Sequence, residues 1–265
     1  MNESRLARTG LRLATVAVLI FLYLPLVILA IYAFNPSRLQ VWPPTGLTLH
    51  WFAEAAGNAG LREALVNSLL AGTGATAIAL VLGTLAAIAV QRFSFFGRET
   101  ISFLFILPIA LPGVVTGIAL RTTFQTIGAD FGLGTIIVGH ATFCVVIAYN
   151  NVIARLRRLP RSPEEASADL GADTWSTFRR VTMPAMSTAL LSGALLAFAL
   201  SFDEIIVTNF TAGPGTQTIP MWILAAIQRP AEVPVVNVVA FVLLLLSIIP
   251  VYLAQRVAGE GGVVR

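Results

Sequence analysis

The chemistry open to this chain is narrowed first by the side chains it lacks. All 17 basic residues are arginine, and no lysine occurs. A phosphate-binding Walker loop needs its lysine, and a Schiff base needs one as well, so neither nucleotide hydrolysis by that route nor imine chemistry is available. The single cysteine, Cys144, excludes an intrachain disulfide and a thiolate metal cluster. His50 and His140 stand far apart in different segments, which argues against a histidine metal site, and no metal is expected. The remaining reactive group is a pair of acids. Asp203 and Glu204 directly follow the apolar stretch Leu190–Phe202. An acid at the centre of a membrane helix costs about 2.5–3.5 kcal/mol, and such acids face a cavity or mark an ion or substrate path. The alternative reading places both in the headgroup layer. Adjacent helical residues point about 100° apart, so only one of the two need face a pathway.

The elements that carry these residues follow from composition. Of 265 residues, 57% are hydrophobic and 11% are charged, with a mean hydropathy of +0.84. Soluble domains carry roughly 25% charge, so a water-covered globule is excluded and the lipid bilayer becomes the expected surroundings. Charge-free runs occur at 13–37, 64–91, 100–120, 131–154, 181–202, 205–228 and 233–255, and about 20 apolar residues suffice to cross a bilayer. The first run exceeds a signal-peptide core of about 7–15 residues and reads as a retained helix over about 12–34. The run 205–228 contains Gly213-Pro214-Gly215 and Pro220. Breakers leave costly unpaired backbone in lipid, so this run reads as an outer loop with a short helix around Met221–Gln228. Six transmembrane helices remain, and both termini share one side.

Charge orients them. With the amino terminus inside, 13 of the 17 arginines fall on inner segments, and the inner and outer net charges are +6 and −2. This follows the positive-inside rule. A pI near 10.0 thus reflects membrane orientation, and no nucleic-acid partner is expected. The outer stretch with Trp42 and Leu47-Thr48-Leu49-His50-Trp51-Phe52 reads as an interfacial anchor helix.

Within the spans, Gly72-x-Gly74-x-x-Ala77 matches a dinucleotide fingerprint in letters, but no strand precedes it. It reads as a small-residue face for close helix packing. Pro108, Pro112, Gly113 and Gly117 disrupt the third span. This marks either a pathway lined by a broken helix or a structural kink. His140, Asn150 and Asn151 read as interhelical hydrogen-bond partners. Tyr149 and Trp222 can offer ring faces to a cation, although packing explains each as well.

The loop 155–183 is the most informative segment. Ser162-Pro163-Glu164-Glu165 predicts a capping box, with Ser162 as N-cap. The helix should end at Leu170 with Gly171 beyond it. Asp173 should cap a second short helix bearing Trp175, Phe178, Arg179 and Arg180, and Pro184 should open the fifth span. A prefolded pair of helices between two spans suits docking to a soluble partner.

Glu165-Ala166-Ser167, then Gly171, Val181, Met183 and Pro184, resemble the E-A-A, three residues, G, nine residues, I-x-L-P signature of importer-type ABC transporter permeases. Ser167, Val181 and Met183 depart mildly from it. The resemblance covers nearly the whole chain, with its most specific part at 60–255. Ser201-Phe202-Asp203-Glu204, Phe210–Gly215, Ile219-Pro220-Met221 and Val235-Val236-Asn237 resemble the second permease of spermidine/putrescine importers. The resemblance implies an all-α inner-membrane protein with six spans, forming one permease domain over 1–265. It also implies a cytoplasmic coupling helix between helices 4 and 5, using Glu164, Glu165, Ala166, Ser167, Gly171 and Pro184. The implied partners are a second permease in a heterodimer, two ATPase subunits that hold ATP and Mg, and a periplasmic binding protein. This chain would then be no enzyme and bind no cofactor. The implied solute is a cationic amine, with Asp203, Glu204, Tyr149, Trp222, Pro112 and Gly113 as path candidates. Related permeases carry iron, thiamine, phosphonate or opines. An ion-coupled carrier or a membrane scaffold would account for the spans without the docking loop.

Overall fold

The computed structural model describes residues 5–260, except for the side chains of 5–7, 106, 249–251 and 253–260. Of the inner arginines, Arg265 lies outside the described residues, as do the side chains of Arg5 and Arg256. The helices are α1 (Arg5–Ala33), α2 (His50–Gly57), α3 (Ala59–Arg92), α4 (Arg98–Ala110), α5 (Gly113–Thr126), α6 (Leu133–Leu156), α7 (Ser162–Asp169), α8 (Thr174–Thr177), α9 (Met183–Phe202), α10 (Ile206–Thr211), α11 (Ile219–Ala226) and α12 (Val233–Glu260). No strand occurs among the described residues. Among the described residues five helical stretches are long and apolar enough to cross a membrane, and the bent pair α4–α5 makes a sixth when the two are counted as one broken span. The bend is 104° and falls at Leu111-Pro112. Proline at 112 disfavours helical geometry in the residue before it, and Leu111 is accordingly extended.

The chain divides into two compact units, one built from residues up to Leu61 with Ile223–Ile249 and the other from Arg62–Trp222 with the residues from Pro250 on. In the first, α1 exposes apolar side chains such as Leu13 and Phe21, a surface suited to lipid. Asn35, just past α1, is buried and organises the following turn. Its side-chain oxygen accepts from the Thr45 hydroxyl, and its carbonyl accepts from Trp51 Nε1 at 2.8 Å. Phe34, Phe52 and Phe241 close the cluster with ring centroids 5.0–6.4 Å apart. The interfacial anchor reading therefore needs correction at Trp51. Its ring is packed in protein because Asn35 supplies a buried acceptor for its N–H, whereas Trp42 is exposed.

In the second unit α6 is the axis, packed mainly on α9 and also on α4 and α10. Its buried residues run from Thr135 to Leu156. Small residues let α3 join this core. A Cβ on Gly72 would lie 2.8 Å from the Phe198 ring, and one on Gly83 would lie 2.8 Å from both Ala148 Cβ and the Tyr149 backbone nitrogen. The small-residue stripe is thus a packing face. The Asn pair behaves differently from expectation. Asn151 donates to Ile147 O in its own helix, and Asn150 is exposed, because a helical side chain can return to the carbonyl four residues back.

The packing at Gly83 is testable. Gly83→Ala should lower the thermal midpoint in detergent, because overpacking costs about 1–3 kcal/mol and the obstructing atoms include backbone. Gly134→Ala, with open space around it, should raise the midpoint slightly through helix propensity. Equal effects at the two positions would contradict the close approach.

Candidate functional site

The run 205–228 holds the main departure from the sequence reading. It is no simple outer loop. It folds into α10, which packs against α5 and α6, and α11, which begins at Ile219 instead of Met221. Val207, Thr208 and Thr211 are buried. The helix is only six residues long, so its backbone depends on side chains for partners. The Glu204 carboxylate accepts from Val207 N at 2.8 Å, which caps the helix start. At the other end the Thr135 hydroxyl, from α6, donates to Thr211 O at 2.7 Å. Between them His140 bridges Ser201 of α9 (Nδ1 to Oγ, 2.7 Å) and Thr208 of α10 (Nε2 to Oγ1, 2.8 Å). Gly117 admits the Phe210 ring, and Gly213 lies against the Phe131 carbonyl. Neither site has room for a side chain.

The bend between α4 and α5 opens a cavity of about 150 Å³ beside this segment. Pro108, Leu111, Gly113, Thr116, Phe143 and Glu204 are among its walls. Thr116 Oγ1 is buried there without a hydrogen-bond partner. Of the path residues read from sequence, Glu204 and Gly113 meet on this cavity, and Pro112 lies between two of its lining residues. Asp203 ends α9 with its carboxylate exposed. Tyr149 and Trp222 do not line it. Tyr149 stacks on Phe105 at 5.0 Å and donates to Ser102 Oγ, while Trp222 is buried. Thr116 went unread in the sequence, since one threonine in an apolar span carries no signal until its neighbours are known.

The loop 157–182 forms the second candidate site. Its first helix begins at Ser162 itself, so the expected capping box is absent: Arg161 holds the N-cap position, and no side chain caps the helix. Glu164 is committed elsewhere. Its Oε1 accepts from Arg92 Nη2 at the end of α3 and from Thr182 Oγ1, each at 2.9 Å. The helix ends as expected, with Leu170 at the C-cap and Gly171 at φ +82°, a conformation that favours glycine. Asp173 caps α8 by accepting from Ser176 N at 2.6 Å. That bond holds its carboxyl below the usual carboxylate range. Ser167 and Thr177 join the two helices at 3.0 Å. A wide π-turn over Phe178–Thr182 leads into α9, with Pro184 in its first turn. The outward face carries Glu165, Ala166, Leu170 and Trp175, all exposed. It is a rigid protrusion with an apolar and acidic surface.

Comparison with known proteins identifies the family. The profile of the family described as "Binding-protein-dependent transport system inner membrane component" matches residues 79–259. The putrescine transport permease PotI of Escherichia coli K12 is 36% identical over 84% of this chain and 82% of its own length. The spermidine/putrescine transport permease PotC of the same organism is 31% identical over 97% of this chain and 95% of its own. Among solved structures, a chain of a bacterial ABC transporter that imports the acidic polysaccharide alginate superposes with a TM-score of 0.72 at 16% identity, covering 98% and 99% of the two chains. A chain of the MetNI methionine ABC transporter gives 0.58 at 17% identity, covering 76% of this chain. This chain belongs to the binding-protein-dependent inner-membrane permease family of ABC transporters. It is a multi-pass inner-membrane transport subunit.

The Arg92–Glu164 contact ties α7 to α3, and both side chains are mostly shielded from solvent. Arg92→Ala and Glu164→Ala should each lower the thermal midpoint in detergent. The double substitution should lower it by clearly less than the two combined, for a coupling of about 1–2 kcal/mol. Strict additivity would show that the pair does not act as a unit.

Proposed function

We propose that this chain is one of two permease subunits of an ATP-driven importer that brings a cationic amine, putrescine or spermidine, into the cytoplasm. The observation that carries the substrate reading is Glu204 on the cavity at the broken helix, with Asp203 beside it and the unpartnered Thr116 hydroxyl on the same wall. An ammonium group leaving water needs a carboxylate and neutral oxygens to replace its hydration. Putrescine and spermidine supply such groups at the ends of flexible methylene chains, which suit the apolar remainder of the wall. The names of PotI and PotC support the same solute class.

In this reading a periplasmic binding protein delivers the amine, and the second permease supplies the facing half of the path. The face around Glu165, Ala166, Leu170 and Trp175 docks on one of two ATPase subunits, which hold ATP and Mg. ATPase closure moves the docking helices, and alternating access follows. The sequence is oriented with both termini and the loop 157–182 in the cytoplasm.

Reconstitution of the permease pair with its ATPase and binding protein tests the substrate. Putrescine should stimulate ATP hydrolysis, and Asp203→Asn should reduce amine uptake more strongly than Glu54→Gln, an exposed acid in α2. Stimulation by thiamine, ferric iron, an opine or a phosphonate in place of the amine would overturn the assignment. Orientation is checked by labelling in a Cys144→Ala background. A cysteine at Arg158 should react only from the cytoplasm, and cysteines at Gly46 or Gln217 only from the periplasm. Cytoplasmic labelling at Gln217 would reverse the placement of the segment after α10.

A further inference from the structure

We infer that His140 is a positioning residue for the acid pair, holding α10 against α9 so that Glu204 is presented to the cavity. The inference rests on the substrate reading above only for its transport consequence, because the hydrogen-bond network stands on geometry alone.

The network joins three helices whichever ring nitrogen carries the proton. The Thr208 hydroxyl lies 2.8 Å from both Glu204 O and His140 Nε2, and His140 Nδ1 lies 2.7 Å from Ser201 Oγ. With the proton on Nε2, Thr208 accepts from the ring and donates to Glu204 O; with it on Nδ1, the ring donates to Ser201 and Thr208 donates to Nε2. The relay runs from His140 through Thr208 to the carbonyl of Glu204, while the Glu204 carboxylate is occupied on one side by Val207 N. Glu204 is thus held at both backbone and side chain. Its hydrogen bond to Val207 N uses one carboxylate oxygen, and Glu204 lines the cavity.

The position of His140 makes it the joint of the turn. Ser201 and Thr208 lie on either side of Asp203 and Glu204, on two different helices, and the imidazole joins them from a third. His140 is fully buried and Thr208 is fully buried, so water cannot replace either bond. Ring contact with Phe143, a cavity-lining residue, at 5.5 Å fixes the imidazole plane. An apolar residue at 140 would leave the Ser201 and Thr208 hydroxyls buried without these partners, and the turn would relax.

The test uses the assembled transporter in lipid nanodiscs, with four permease variants: His140→Leu, His140→Gln, Thr208→Val and Ser201→Ala. Gln can reach Thr208 with its amide donor, whereas Leu cannot. The first measurement needs no substrate. Amide exchange over 205–212 should accelerate about tenfold in His140→Leu and Thr208→Val, and His140→Gln should return it most of the way. The second measurement is putrescine uptake. His140→Leu should raise KM about tenfold with a smaller change in maximal rate, His140→Gln should recover KM, and Ser201→Ala should fall between. Unchanged exchange in His140→Leu overturns the inference whatever uptake does. Faster exchange with KM unmoved and only the maximal rate reduced also overturns it, since His140 would then serve stability alone. If the unsubstituted transporter ignores putrescine, the substrate reading fails, and the exchange arm still decides whether His140 holds the turn. Should His140→Leu not assemble, Thr208→Val carries both measurements, because it removes the same relay while keeping side-chain volume.

Discussion

A chain that breaks its helices inside an apolar layer must find partners for every backbone group it frees. That requirement organises the second unit. α9 ends at Phe202, the chain turns through Asp203 and Glu204, and α10 ends at Thr211 after only six residues of helix. So short a helix cannot supply its own backbone with hydrogen bonds. Thr135 of α6 and the Glu204 carboxylate make up the difference at its two ends, and His140 holds its middle through the Thr208 hydroxyl. Polar residues on α6, the most buried of the long apolar helices among the described residues, therefore have a structural duty beside the cavity.

The same logic separates the two acids. Glu204 is drawn inward by the amide of Val207, whereas no protein group among the described residues holds the exposed Asp203 carboxylate. In the proposed path the exposed Asp203 lies outside the cavity, whereas Glu204 and the unpartnered Thr116 hydroxyl line it.

The apolar helices and the short helix pair between α6 and α9 were legible in sequence, for physical reasons. A run of 20 apolar residues has few alternatives, and a glycine at C′ or an aspartate at an N-cap acts on its immediate neighbours. Gly171 and Asp173 thus fold as read. The reading erred where a residue had competing partners. Glu164 could cap its own helix or pair with Arg92, which lies 72 positions away in sequence. The half-buried guanidinium prevailed, because leaving it unpaired costs more than leaving a surface helix end to water. Trp51 was misread in the same way, since the acceptor on Asn35 is invisible until the turn is built. The segment 205–228 was recognised as broken, but its burial depended on Gly117, far from it in sequence, making room for Phe210, and on its own Gly213 fitting against Phe131.

The Arg92–Glu164 contact also bears on how motion could pass through the molecule. α7 protrudes from the unit with exposed Glu165, Leu170 and Trp175, and by itself it would swing on the loops at Pro160 and Ala172. Its contacts remove that freedom: Glu164 joins it to α3 and to Thr182, and Ser167 joins it to Thr177. A force applied to α7 is therefore delivered to the end of α3 and, through the π-turn, to the start of α9. The far end of α9 carries Ser201, Asp203 and the turn that His140 secures. One continuous helix of 20 residues, about 30 Å long, thus runs from the π-turn beside α7 and α8 to the acid pair. If α7 docks as proposed, a rigid helix would carry its displacement along that length, and the clamp at one end and the imidazole joint at the other would be two requirements of a single lever.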